Sequence, residues 1–274
     1  MKDFGSVKFK ICLGKDICVV LNMSTEDKVI VSKIRERYSG FFLNKVTRHS
    51  FSTTLNLDFT PATDNFKDDN KVLVDFEGNL LKLSRKDFFL AINTRTREGN
   101  GRAAASIYSI DSLLRVVFSW LAVEKKGFFL HCAGVVSGKN AFIFTGKSGS
   151  GKSTIAKKFP RKRILSDELV LLKVKKDKIF AYSTPFWGEL EKGTGENLEK
   201  VIKKVFFLKK SNKLAVKKAN LEETIEKLMP NILFFVNSKE ISGKILEIIT
   251  IMSEKIEFNS LLFPKNIKTG QLCI

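Results

Sequence analysis

Apolar and polar positions alternate in "VKFKICL" and "DICVVLN", two runs joined by Gly14 and Lys15. A period of two with a short glycine turn predicts a β-hairpin. "STEDKVIVSKIRERYSG" follows, with Ser24 as a cap, acids early, bases late and Gly40 at its end, the signature of a helix. "KVLVDFEGNLLKLSR" predicts a second hairpin turning at residues 77–79, and "KDFFLAINTR" a further strand. "TREGNGRAAAS", residues 96–106, breaks the pattern with glycine, asparagine and charge and is the expected linker. "SIDSLLRVVFSWLAVEKKG" returns to helical spacing, with Ser109 or Asp111 to cap it and Gly127 to end it.

Two apolar strands come next, "FFLHCAGVV" and "AFIFTG", separated by the hairpin-length "SGKN". The second runs into "GKSGSGKST", and "KSTIAKKF" reads as a helix stopped by Pro160. "RILSDELVLLKVKKDKIFAYSTP" reads as strand, acidic pair, strand, turn, strand. Then come a strand at "VFFLKK", helices at "LEETIEKLMP" and "GKILEIITIMSEKI", a strand-like "ILFFV" and a short tail strand. The expected class is α/β: a mixed-sheet catalytic domain over residues 101–274, preceded by a small β-rich α+β domain over residues 1–100.

Composition narrows the function classes. The chain has 274 residues, 43 % of them hydrophobic, enough for a packed core. No apolar run approaches the roughly 20 residues that span a bilayer, and charges interrupt every run near the N-terminus, so a cytoplasmic protein without a membrane partner is expected. Cys12, Cys18, Cys132 and Cys273 lack C-x-x-C spacing, so neither a zinc site nor a disulfide framework is expected. With only His49 and His131, a histidine-rich metal centre is excluded; His49, in the polar "KVTRHS", reads as a surface residue. The formal net charge is +19. The basic residues are spread along the chain, with short clusters at Arg161–Arg163 and residues 173–178 and no aromatic-interleaved stripe, so the charge does not itself call for nucleic acid. ATP and an acidic substrate would both be attracted by such a field.

Gly146, Lys147, Ser148, Gly149, Ser150, Gly151, Lys152 and Ser153 satisfy G-x-x-x-x-G-K-[ST] at every fixed position, with Thr154 completing the run. Glycines let the backbone approach phosphate, and successive N–H groups cradle an anion. Lys152 would reach the β- and γ-phosphates of ATP and the Ser153 hydroxyl would ligate Mg²⁺. Phosphoryl transfer also needs an acid. Asp167 and Glu168, leaving a short strand, are the best placed downstream pair, as metal ligands and, for Asp167, as the base. His131 sits in the strand before the loop strand; pairing of the two would bring it near the phosphates.

The ordered set "FFLHCAGVVSGKNAFIFTGKSGSGKSTIAKKF…RILSDELVLL…YSTPFWGEL" resembles the catalytic domain of the HPr kinase/phosphorylase superfamily, nearest its shorter HPr-kinase-related members, over residues 110–208. That resemblance implies a phosphoenolpyruvate-carboxykinase-like P-loop core and MgATP-dependent transfer of the γ-phosphoryl group to a serine-type hydroxyl. It assigns His131 to the histidine near the phosphates, Lys152 and Ser153 to phosphate and metal, Asp167 to the general base, and Glu168 to a position where the family commonly has a second Asp. It also implies a homo-oligomer, which no heptad or self-complementary stripe supports. "GELEKGTGENLEKVIKKVFFL" does not match the family's glycine-containing signature, so the resemblance carries neither HPr itself as substrate nor the reverse phosphorolysis over to this chain, and both are left open. The acceptor is left open among a peptide, a protein and a small molecule. Residues 183–197, with Trp187, read either as a lid or as an anchored loop. The competing function is an ATP-binding regulator without phosphotransfer.

Overall fold

The computed structural model describes residues 6–43, 51–61, 71–190, 195–233, 239–264 and 266–272. It is a mixed α/β structure with two mixed sheets, in two compact units, Met1–Trp120 and Leu121–Ile274. His49 lies outside the described residues.

The first unit is built on seven strands: β1 (Ser6–Leu13), β2 (Ile17–Ser24), β3 (Phe51–Thr60), β4 (Leu73–Glu77), β5 (Leu80–Arg85), β6 (Phe88–Asn93) and β7 (Glu98–Ala104), in the order β1-β2-β3-β7-β6-β5-β4. The two expected hairpins are β1–β2 and β4–β5, the second turning at Gly78 with φ 58°. The expected linker is instead β7, which pairs in parallel with β3 and antiparallel with β6. Its glycines are strand residues: a Cβ on Gly101 would stand 2.2 Å from the carbonyl oxygen of Phe89, so the approach of β6 selects glycine there.

Helix α1 (Lys28–Arg37) is capped by Asp27, whose carboxylate accepts the N–H of Val29 and Ile30, and not by Ser24. Helix α2 (Ile107–Glu124) begins before both of its expected caps. Those side chains serve the tertiary fold. Ser109 donates to Asp87, which also holds Arg85 at 2.5 Å; Asp111 accepts from Tyr38 and pairs with Arg37 at 2.6 Å. The left-handed position after α2 is Lys126 (φ 56°), and Gly127 opens the next strand. Cys12 and Cys18 stand opposite each other in the β1–β2 register and form a disulfide, contrary to expectation. The hairpin brings the Cα atoms to 4.1 Å, a proximity that linear spacing does not display.

The second unit contains β8 (Gly127–Ser137), β9 (Asn140–Thr145), α3 (Lys152–Ala156), β10 (Ile164–Ser166), β11 (Leu169–Lys175), β12 (Lys178–Tyr182), β13 (Glu199–Lys210), β14 (Ala215–Lys218), α4 (Leu221–Leu228), β15 (Ile232–Leu233), α5 (Lys239–Lys255) and β16 (Glu257–Phe263). β8 is the hub. It pairs antiparallel with β9, β10, β11 and β15, while β9 and β16 lie parallel to β13. The pairings β8–β11, β11–β12, β12–β13, β13–β9 and β9–β8 return on themselves, which buries long apolar runs such as "GFFLHCAGVVS". One core cluster joins Phe128, Leu130 and Ile143 to Ile245, Ile249 and Met252 of α5. The other joins Phe144, Phe206 and Phe263 to Ile155 and Ala156 of α3. The expected helix after the glycine loop is only α3, three residues shorter than the apolar spacing suggested, and a turn ending at Phe159 follows it.

Candidate functional site

Three strand ends converge because of the β8 register. Thr145, the last residue of β9, pairs with Cys132, and its hydroxyl donates to the His131 carbonyl at 3.0 Å. On the other side of β8, His131 pairs with Leu169 and Gly134 with Ser166, so the Asp167–Glu168 step between β10 and β11 falls beside His131 and Cys132. The Cys132 N–H donates to the Glu168 carbonyl at 3.0 Å. A cleft of about 430 Å³ opens there, lined by His131, Ser148, Gly149, Gly151, Lys152, Ser153, Thr154, Lys157, Asp167, Glu168, Gly188, Glu189 and Lys210.

The 146–151 loop is tied to the sheet from below. A Cβ on Gly146 (φ 150°) would meet the Leu208 carbonyl at 3.2 Å, and one on Gly151 (φ 106°) the Phe263 ring at 2.9 Å. Both positions therefore exclude larger residues by conformation and by contact. Lys152 is buried at 7 % exposure, and its Nζ donates to the carbonyls of Gly146 (2.8 Å) and Lys147 (3.3 Å). Burial pulls its pKa below the ordinary lysine value of 10.5, opposed by the neighbouring Cys132. Cys132 itself is fully buried and its thiol pKa is pushed far up by that burial, so it is not a nucleophile.

The acidic pair is held asymmetrically. Ser166 Oγ accepts the N–H of Glu168 and of Leu169, each at 3.1 Å, and donates to the Phe186 carbonyl at 2.9 Å. Asp167 is 4 % exposed; its Oδ1 accepts the Gly188 N–H and its Oδ2 the Leu190 N–H, both at 3.0 Å. Each carboxylate oxygen keeps a second lone pair for a further donor. Glu168 is half-buried and His131 exposed. Residues 183–190, the start of the segment weighed as a lid, are anchored: Thr184 Oγ1 donates to Leu169, and Phe186 and Trp187 are buried. Residues 191–194 lie outside the described residues.

The structure thus gathers His131, Lys152, Ser153, Asp167 and Glu168 and most of the glycine loop around one cleft; Gly146, Lys147 and Ser150 do not line it. Sequence reasoning missed Lys157, Gly188, Glu189 and Lys210. Lys157 and Glu189 form an ion pair at 2.9 Å, and Lys210 ends "VFFLKK", where only a strand was read.

One feature fits a polyphosphate: nothing stands within 4 Å of the Cβ position of Gly149, which lines the cleft at the loop tip. For a divalent cation, no cluster of three or more His, Cys, Asp or Glu is found among the described residues. The donors present are the Ser153 hydroxyl and the two carboxylates, hard oxygen ligands of the kind Mg²⁺ takes together with substrate phosphate. No helix among the described residues is long and apolar enough to cross a membrane.

No protein-family model matches the chain, and no curated protein matches it significantly. Among solved structures, the HPr(Ser) kinase/phosphatase from Coxiella burnetii is similar over 53 % of this chain and 89 % of its own, at 14 % identity and a TM-score of 0.30.

Proposed function

We propose that the cleft binds ATP and transfers its γ-phosphoryl group to a serine-type hydroxyl, as a P-loop kinase resembling the HPr kinase/phosphorylase superfamily and its phosphoenolpyruvate-carboxykinase-like core. The observation that carries this reading is the shared lining: Lys152, Ser153, His131, Asp167 and Glu168 face one cavity. The loop N–H groups and Ser148 hold the triphosphate. Lys152 exchanges the loop carbonyls for phosphate oxygens, a like-for-like trade of acceptors that keeps its ammonium paired. Ser153, with Asp167 and Glu168, would hold Mg²⁺, which would supply charge neutralisation when bound. Asp167, fixed by Gly188 and Leu190, takes the acceptor's proton as its oxygen bonds to the γ-phosphorus. The bond from that phosphorus to the β–γ bridging oxygen breaks and ADP leaves. His131 steadies the acceptor or the transferring group. Most of the acceleration is placement of charge and exclusion of water.

A second reading is an ATP-binding regulator. One observation favours it: both oxygens of Asp167 already accept backbone N–H groups, a structural duty as well as a catalytic one. Equilibrium dialysis of ATP against the parent and Lys152→Ala tests the part common to both. Binding lost in the variant supports it; equal affinity contradicts it.

A further inference from the structure

Residues 158–166 join two cleft-lining side chains, Lys157 and Asp167. They hold Lys158, Arg161, Lys162 and Arg163 and no acidic residue. Arg161–Arg163 form one helical turn after Pro160, with the Arg163 N–H on the Pro160 carbonyl at 2.8 Å and all three side chains exposed. The turn is pinned at both ends, by Phe159 and Ile164 in the core under the loop. Thr269 Oγ1 reaches the Lys158 carbonyl at 3.5 Å, tying the C-terminal segment to the start of this stretch.

Lys175, Lys204, Lys227 and Lys244 are each paired with a glutamate. Among the described residues, Lys158, Arg161, Lys162 and Arg163 have no ion pair. Lys213, Lys217 and Lys218 are likewise without an ion pair among the described residues, and what sets this turn apart is its direct chain connection to Asp167. Like charges set side by side on a fixed turn repel one another, a cost that an acidic ligand relieves. The exposed large apolar side chains of this unit are Leu214, Val216, Leu221 and Leu246, none aromatic, so the stacking platform typical of single-stranded nucleic acid is missing among the described residues.

We infer that this turn docks an acidic polypeptide segment, and that the segment carries the acceptor hydroxyl. The docking stands on the charge geometry alone; calling the segment the acceptor rests on the kinase reading. β10, which carries an irregularity between Ile164 and Ser166, separates Arg163 from Asp167 by four residue steps, at most about 13 Å at about 3.3 Å per residue. An extended peptide with its serine at Asp167 therefore places its acidic residues within about four positions of it, against Arg163.

The test is fluorescence anisotropy on the full chain with three probes: a serine peptide flanked by glutamates, the same peptide flanked by lysines, and a single-stranded oligonucleotide. Two triple variants are compared, Arg161→Gln/Lys162→Gln/Arg163→Gln and Lys213→Gln/Lys217→Gln/Lys218→Gln, which remove equal charge at the turn and at β14 with the residues just before it. The expected result is tightest binding of the acidic peptide, weakened about tenfold by the first triple and little by the second. Equal weakening by both triples, equal affinity for acidic and basic peptides, or preference for the oligonucleotide overturns the docking. ATP binding is measured alongside. Its absence in the parent would sink the kinase reading without deciding the peptide result; an ATP-dependent label entering acidic and basic serine peptides equally would sink the inference and leave the kinase.

Discussion

Asp167 and Gly188 are locked together: Oδ1 accepts the Gly188 N–H at 3.0 Å, and a Cβ on Gly188 would stand 3.1 Å from Oδ2. The proposed base is thus positioned by the loop that follows β12, and the closeness of that loop leaves no room for a side chain at 188 unless Asp167 gives way. Gly188→Ala should displace the carboxylate by a few tenths of an ångström. Phosphotransfer is expected to fall while ATP affinity holds, since the glycine loop is untouched. Unchanged transfer in a folded Gly188→Ala protein would show that the exact seat of Asp167 does not matter.

Asp167→Asn tests the same carboxylate differently. An amide presents one NH₂ toward one of two N–H donors, so a hydrogen bond is lost and a buried donor is left unpaired. The expected cost is about 1–3 kcal/mol in a urea titration, with ATP affinity within about tenfold of the parent and transfer abolished. A parent-like urea midpoint would contradict the buried hydrogen bonds.

Much of this site was legible in the sequence, and for a physical reason. Glycine spacing, the lysine and the hydroxyl are local features, and so is the acidic pair leaving "RILSDE". What was hidden is what only register creates. Gly188 and Leu190 reach Asp167 across more than twenty positions, and Lys210 arrives from the end of β13. In the first unit α1 was legible as a helix, although its cap is Asp27 and not the expected Ser24, and the hairpins followed from alternation. β7 did not, because "EGNGRAA" is a strand whose small residues are selected by its neighbours β3 and β6 and not by propensity. Ser109 and Asp111 were misread as caps because Asp87, Arg37 and Tyr38, their partners, are distant in sequence.

Lys152 sets a pH dependence. Burial lowers its folded-state pKa below 10.5, so between the two values the unfolded chain binds more protons and stability rises with pH. Phosphate binding runs the other way, because it needs the ammonium. Affinity for inorganic triphosphate should therefore decline as pH climbs, beginning below 10.5. Calorimetry carried through pH 10.5 checks this; a profile still flat above 10.5 would contradict a charge-bearing role for Lys152.

The Cys12–Cys18 bridge closes a small loop within the β1–β2 hairpin. Its reduction should lower stability by about 2 kcal/mol through the freer unfolded chain. Urea midpoints for the first transition with and without dithiothreitol measure it, and coincident curves, with two thiols newly titratable, would remove the bridge from the stability account.

The most direct test of the central claim follows γ-labelled phosphate from ATP, with Mg²⁺, into free serine, serine peptides, HPr and total cell extract. Transfer to a hydroxyl acceptor that disappears in both Lys152→Ala and Asp167→Asn is the predicted result. ATP bound by the parent with no labelled acceptor in any sample would contradict phosphotransfer and leave the cleft as a nucleotide-binding regulator.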